Sequence, residues 1–157
     1  MITVLRTVHL LAAAVWFGGT VALVFVGVPA IRGLEGEVRA QAMRTLGRRW
    51  RPIGWSAMGV AILSGLWLSH RHHALQSGAY GSHFDRVLIV KSVLVVVLCV
   101  GAVLHDYVLG PRLQRELRAH DERAPSTRRR LVVLGWFNFA LTVVVPVLGV
   151  VALSDLT

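Results

Sequence analysis

The sequence has little cysteine, little lysine and little acidic charge. Cysteine occurs once, as Cys99 inside an apolar run, which excludes an intrachain disulfide and a Cys-x-x-Cys metal or redox motif. Lysine also occurs once, as Lys91, and 8 acidic residues face 17 basic ones, giving a net charge of +9. In a soluble chain this charge would indicate nucleic acid, but here the arginines fall between apolar segments and report membrane topology. Nucleic acid is therefore excluded as a partner.

Long apolar runs dominate what remains: 55% of the 157 residues are hydrophobic, and the mean hydropathy is +0.62. This composition is typical of an integral membrane protein. A transmembrane helix needs about 20 apolar residues, and four segments qualify: residues 2–31, 52–69, 87–109 and 131–153. We predict an all-α, integral membrane four-helix bundle that forms a single transmembrane domain, multi-pass in a bacterial cytoplasmic (inner) membrane. The first segment lacks the frame of a cleavable signal peptide and is expected to stay as the first span.

Arginine is distributed unevenly among the three connections, and this predicts the topology. Residues 32–51 and 110–130 together hold 13 arginines, whereas residues 70–86 hold only Arg71 and Arg86. Cytoplasmic loops are enriched in positive residues. We therefore predict cytoplasmic loops at 32–51 and 110–130, an outer histidine-rich loop at 70–86, and both termini on the outer side. Apolar residues at near-helical spacing in 32–51 favour a short amphipathic helix along the membrane surface.

Ionisable side chains inside membrane spans mark candidate sites, because their burial in hydrocarbon is costly. His9 lies about 10 Å into the first span and Lys91 about 6 Å into the third, counted from their outer boundaries. Imidazoles that converge from different helices ligate haem b or copper. The predicted metal ligands are His9, His70, His72, His73 and His83. The predicted cofactor-binding residues are His9, His70, Lys91 and Trp16.

Each assignment has a structural alternative. His9 can instead hydrogen-bond to a neighbouring backbone group or to Ser64 across helices. The loop histidines can be solvated side chains, and Lys91 can reach the outer headgroups. His105 lies about 21 Å of helix beyond Lys91, near the cytoplasmic end, and is expected to be dispensable for the outer site. Glycines inside the spans allow close helix approach or leave room for a flat ligand.

Four motifs, in this order, carry a resemblance: His9 followed by Trp16-Phe-Gly-Gly, Arg48-Arg49-Trp50-Arg51 before a span with Ser64-Gly65-Leu66, Lys91, and Leu109-Gly-Pro111-Arg112-Leu113. Over nearly the whole chain they resemble the membrane domain of the copper-resistance protein D family. The resemblance implies a four-helix unit associated with copper handling. His9 and Lys91 also resemble, more distantly, the HemJ-type protoporphyrinogen oxidases, which implies haem on a first-span histidine and a required third-span lysine. The chain departs from that family's Leu-Pro-Arg-Leu motif, since Pro29 is followed by Ala30-Ile31-Arg32.

Three functions fit these observations. The favoured one is a small polytopic membrane protein that binds haem b or copper through outer-side histidines and serves membrane electron transfer or copper handling. The alternatives are a HemJ-like protoporphyrinogen oxidase and an accessory structural subunit of a larger membrane complex. The oxidase is disfavoured because the outer half has few cations for porphyrinogen propionates, and the subunit because packing does not need five outer histidines. Whether the chain is an enzyme stays open. Expected partners are the lipid bilayer and a membrane protein or a second copy.

Overall fold

The computed structural model describes residues 2–75 and 83–154, and it describes side chains over 2–71 and 86–151. Within these ranges the chain is helical almost throughout and contains no strand. Two π-helical segments, Leu23–Gly27 and Leu104–Leu109, continue preceding helices without a break. The α-helices are α1 (Ile2–Ala22), α2 (Val28–Arg32), α3 (Gly36–Leu75), α4 (His83–Val103), α5 (Gly110–Arg118) and α6 (Ala124–Ser154).

Within the described residues, four helical runs are long and apolar enough to cross a membrane. Many of their apolar side chains are exposed, including Leu63 at 70% and Val4 at 66%, as expected for surfaces that contact lipid. The prediction of an all-α membrane protein with four spans is therefore confirmed. The runs are Ile2–Arg32, Gly36–Arg71, Arg86–Arg118 and Ala124–Val151.

The first arginine-rich connection is much shorter than the predicted loop 32–51. Residues 33–35 alone interrupt the helix, and α3 then runs unbroken from Gly36 through the arginines and Pro52 into the second span. Most residues between Glu37 and Arg49 are good helix formers, such as arginine, alanine, glutamine and methionine, so nothing there ends the helix. The arginine-rich segment is thus helical, as expected, but it is the first part of the second helix.

The second arginine-rich connection, predicted as a loop over 110–130, contains α5 and the first turns of α6. Residues 119–123 link the two helices. His120 adopts a left-handed conformation (φ 53°), and the amide of Asp121 donates to the carbonyl of Glu116 at 3.0 Å, which is the C-terminal cap of a Schellman motif. The Asp121 side chain then accepts the amide of Arg123 at 2.8 Å and turns the chain into α6.

The chain divides into two compact units, residues 1–79 (the first unit) and 80–157 (the second unit). In the first unit, α1 packs antiparallel along α3. His9 lies against Gly65, whereas Gly19, ten residues later, lies against Trp50, fifteen residues earlier on the partner helix. The indole of Trp50 fills the space that Gly19 and Gly54 leave, so these glycines serve close packing.

In the second unit, α4 packs along α6 in the same antiparallel manner. Leu98, Leu141 and Val145 are buried between the two helices. The Asn138 side chain occupies the space above Gly101, and a Cβ at Gly101 would overlap with it. The small helix α5 packs on the start of α6, and Arg112 Nε donates to the buried carboxylate of Glu116 at 2.7 Å.

The two units repeat one order of elements: a 21-residue apolar helix, a π-helical segment, a short helix with proline as its second residue, a short connection and a long helix. Along the first part, equivalent positions are 82 residues apart: His9 and Lys91, Gly19 and Gly101, Pro29 and Pro111. Along the long helices the shift is 84: Gly54 and Asn138, Gly65 and Gly149. The repeat therefore places His9 and Lys91 at equivalent positions of the two units.

Candidate functional site

His9 lies at the interface of α1 and α3, partly buried, with its imidazole seated in a notch on α3. The notch exists because Gly65 has no side chain: a Cβ there would stand 3.0 Å from His9 Cε1. His9 Nδ1 lies 2.8 Å from the carbonyl oxygen of Ala61 and 3.1 Å from Ser64 Oγ. The hydrogen bond that the sequence offers as the structural alternative, His9 to Ser64 or to backbone, is thus present.

These bonds fix the tautomer of the His9 ring. A carbonyl oxygen only accepts hydrogen bonds, so Nδ1 carries a proton and donates it to Ala61. The Ser64 hydroxyl donates to the carbonyl of Val60 at 2.6 Å, which leaves its oxygen as a second acceptor for the same Nδ1–H. In the neutral ring the lone pair is therefore on Nε2. Metal-ligating histidines have this arrangement, with the other ring nitrogen held by a carbonyl or another acceptor.

A groove lies one helical turn beyond this pair, at the end of the first unit where α1 begins and α3 ends. It is lined by Ile2, Thr3 and Leu5 of α1 and by Trp67, Leu68 and Arg71 of α3. Leu5 and Leu68 are each four residues, about one turn, from His9 and Ser64. The Arg71 guanidinium lies over the Trp67 ring, 5.7 Å from its centroid. The groove thus leads from the end of the unit toward the hydrogen-bonded histidine.

Lys91 occupies the corresponding notch of the second unit. Its Nζ would stand 3.0 Å from a Cβ at Gly149 of α6, as the His9 ring does at Gly65 of α3. Each unit therefore seats one basic side chain of its first helix against a glycine of its long helix. Among the described residues, Lys91 makes no ion pair.

Of the other predicted site residues in the first unit, His70 and Trp16 have described side chains. His70 is exposed and follows Ala61 by nine residues, or two and a half helical turns, so it lies on the opposite face of α3. Trp16 is partly buried on α1, two turns from His9 on the same face, and its carbonyl accepts the Thr20 hydroxyl at 2.8 Å. The side chains of His72, His73 and His83 lie outside the described residues. In the described part of the chain, no group of three or more His, Cys, Asp or Glu residues is arranged to hold a metal ion.

His105 lies in the second unit, on the π-helical segment after α4. Its Nδ1 is 3.0 Å from Asp106 Oδ1, and its Nε2 faces Gly135 of α6. His105 and Asp106 are thus hydrogen-bonded neighbours on this segment. His105 lies one turn after Gly101, and Gly135, which it faces, lies one turn before Asn138. The His105–Gly135 and Gly101–Asn138 contacts are therefore neighbours along one helix interface. It belongs to a polar contact between α4 and α6 that is separate from the His9 notch.

Sequence reasoning missed the two notch glycines and the Asn138–Gly101 contact. Glycines inside the spans, Gly65 and Gly149 among them, indicate close helix approach or room for a flat ligand, but their pairing with His9 and Lys91 depends on the register of the helices. One signal was available: an ionisable residue on one span faces a glycine on the next, twice, at similar distances along the chain. The equivalence of His9 and Lys91 is hard to see because the two basic residues differ in type, histidine in one unit and lysine in the other.

These features define a class: a multi-pass, all-α membrane protein with one basic side chain notched into each of two helical units. A family model described as "Copper resistance protein D" (CopD) matches residues 44–153. The chain therefore belongs to the CopD family, which confirms the resemblance in the motifs. The match includes Ser64, Gly65 and Lys91, whereas His9 precedes it.

The chain is 29% identical over 125 residues to "Inner membrane protein YebZ" of Escherichia coli (strain K12). The aligned region covers 76% of this chain and 38% of that protein, so the chain spans well under half the length of the curated relative it matches. No solved structure matches the chain.

Proposed function

We propose that the protein handles copper in a bacterial inner membrane and that His9 binds the copper ion as cargo. The observation that carries this proposal is the orientation of the His9 ring, with Nδ1–H held by Ala61 and Ser64. An imidazole with one nitrogen held and a lone pair on the other is a ligand that copper accepts. The description of the family, copper resistance, supports copper as the metal, and the inner-membrane relative supports the compartment.

The groove beside His9 gives the ion an approach path. Copper that enters the groove passes Arg71 first and then Leu5 and Leu68, which lie one turn from the histidine. One imidazole holds a copper ion weakly, because stable sites use several ligands. The remaining ligands come from the molecule that delivers the ion. Weak, incomplete ligation suits a cargo that has to leave again.

The proposed topology follows the arginines. The residues between Glu37 and Arg51, together with α5 and the first turns of α6, face the cytoplasm, and both termini and the His9 notch face outward. The proposed partners are the lipid bilayer and a membrane protein or a second copy. Haem b at His9, a HemJ-like oxidase activity and a purely structural role are the competing functions.

The test is a copper titration of the detergent-purified protein and three variants. His9→Ala removes the ligand and is expected to abolish copper binding. Ser64→Ala removes the longer of two hydrogen bonds and is expected to weaken binding about tenfold, in the range measured when a partner of a metal ligand is removed. His105→Ala, in the other unit, serves as the control and leaves binding unchanged. Equal binding by the wild type and His9→Ala would overturn the proposal.

The competing functions predict different results in the same samples. Haem b would give the wild type visible absorption bands that His9→Ala lacks, with no bound copper. A structural role predicts a colourless wild type without copper. In that case His9→Ala would lower the stability by roughly 0.6–2 kcal/mol, the value of an interhelical hydrogen bond in a membrane.

A further inference from the structure

A second groove lies in the second unit, between the end of α5 and the start of α6. It is lined by Leu117 of α5 and by Ala124, Arg128, Arg129, Val132 and Val133 of α6. Leu117, Val132 and Val133 are large apolar side chains that are 57%, 50% and 61% exposed. On a membrane-spanning helix such exposure is that of a surface in contact with lipid acyl chains, and here it lines one wall of a groove.

The groove crosses the boundary between the charged and the apolar part of α6. Arg128 and Arg129 lie near the end of an arginine-rich stretch, and Val132 and Val133 lie near the start of the apolar stretch of the fourth span. Arg129 and Val133 are one turn apart, about 6 Å along the helix. This distance is similar to the thickness of the headgroup layer that separates the phosphates of a leaflet from its acyl chains. One end of the groove is therefore cationic and the other apolar, in the orientation of a lipid.

The charge of the groove favours an anionic occupant. Neither Arg128 nor Arg129 forms an ion pair with a described residue. Glu116, the nearby buried carboxylate of α5, is bonded to Arg112. No acidic side chain is among the described residues that line the groove. Arginine binds phosphate through paired hydrogen bonds and retains its charge at the membrane surface.

We infer that this groove binds an anionic phospholipid, with its phosphate on Arg128 and Arg129 and an acyl chain against Leu117, Val132 and Val133. A zwitterionic lipid gains less, because its own cationic group competes with the arginines for the phosphate. A protein partner would need a complementary acidic and apolar segment, whereas phospholipids surround a membrane-spanning helix at all times. Basic pockets at the cytoplasmic ends of spans bind lipid headgroups in this way.

The inference is tested by native mass spectrometry of the full chain with phosphatidylglycerol and with phosphatidylcholine of the same acyl chains. The wild type is expected to retain phosphatidylglycerol selectively. One arginine near an anionic lipid surface contributes about fivefold to affinity, so R128Q/R129Q is expected to weaken phosphatidylglycerol binding about 25-fold. The control R118Q/R130Q removes the same charge at exposed arginines outside the groove lining and is expected to weaken binding less, because these side chains do not line the groove that holds the phosphate.

Three results would overturn the inference. The first is equal retention of the two lipids by the wild type. The second is an equal loss in R128Q/R129Q and R118Q/R130Q, which would show a response to net charge alone. The third is displacement of the bound lipid by excess inorganic phosphate, which would show an anion site without a lipid tail. The variant V132S/V133S tests the proposed contact with the acyl chain and is expected to weaken binding of phosphatidylglycerol. Its helix content, measured by circular dichroism, checks that it is folded.

Discussion

The His9 imidazole fits into a space on α3 that exists because Gly65 has no side chain. A Cβ at position 65 would stand 3.0 Å from His9 Cε1, closer than carbon atoms normally approach. The same glycine lies one residue after Ser64, whose oxygen accepts from the ring. The notch and the hydrogen bonds therefore form one arrangement, and a change in either moves the imidazole.

Gly65→Ala is expected to displace the His9 ring and lengthen its hydrogen bond to Ala61. We expect a loss of stability of about 1 kcal/mol or more, in spite of the better helix propensity of alanine, because overpacking costs about 1–3 kcal/mol. Gly59→Ala is the matched control on the same helix, since nothing lies within 4 Å of its added Cβ. That variant is expected to be neutral or more stable by up to about 1 kcal/mol. Unfolding in SDS followed by circular dichroism measures both, and equal stability of the two variants would contradict the notch.

Gly101→Ala is expected to destabilise the second unit, because its Cβ would overlap with the Asn138 carboxamide. We expect a loss of about 1–3 kcal/mol. In the background of Asn138→Ala the overlap is removed, and the same glycine substitution is expected to cost little. A double-mutant cycle on the purified protein gives the coupling between the two positions. Additive effects, with no rescue, would show that Asn138 does not occupy the space above Gly101.

His120→Gly is expected to stabilise the protein. His120 has a φ of 53°, and the left-handed conformation costs a residue with a side chain about 1–2 kcal/mol, whereas glycine adopts it freely. The gain in folding free energy is expected to be about 1 kcal/mol, reduced from the full cost by the greater freedom of glycine in the unfolded chain. His120→Ala keeps the strain and is expected to show no gain, so a stabilisation equal to that of glycine would contradict the cap.

The proposed topology predicts where introduced cysteines react. In a Cys99→Ser background, single cysteines between Gly33 and Gly47 are expected to be protected from a membrane-impermeant thiol reagent added to intact cells. Cysteines at positions 2 and 3 are expected to react from outside, because the arginine-rich segments face the cytoplasm. The labelling is compared before and after the membrane is permeabilised. Labelling from outside at positions 33–47 would contradict the proposed topology and support the opposite orientation.

The spans and the hydrogen bond of His9 were predictable from sequence for the same reason. Apolar segments of about 20 residues specify spans, and a lone histidine in such a segment has few polar residues to meet, of which Ser64 is one. The continuity of α3 was missed because the arginines were assigned to a loop. The continuity of α3 also determines which face His70 occupies. Because the helix is unbroken from Ala61 to His70, the two residues lie on opposite faces of α3.

The glycine notches could not be predicted because they depend on the offset between paired helices. A shift of one turn between α1 and α3 would seat His9 against Ala61 or Leu68, and the sequence does not specify the offset. The structure gives the register, and the repeat then shows that Lys91 and Gly149 have the same relationship. His9 and Lys91 were both singled out by their charge, but their equivalence required the structure.

The central claim, that His9 is a ligand, is tested most directly by metal analysis with a visible absorption spectrum. The wild type, His9→Ala and His105→Ala are purified in mild detergent from cells grown with added copper, and each is measured oxidised and reduced. We predict bound copper in the wild type and in His105→Ala, and its loss in His9→Ala while that variant still inserts and stays monodisperse. A colourless, copper-free wild type would contradict the claim and leave His9 as a residue that packs α1 on α3.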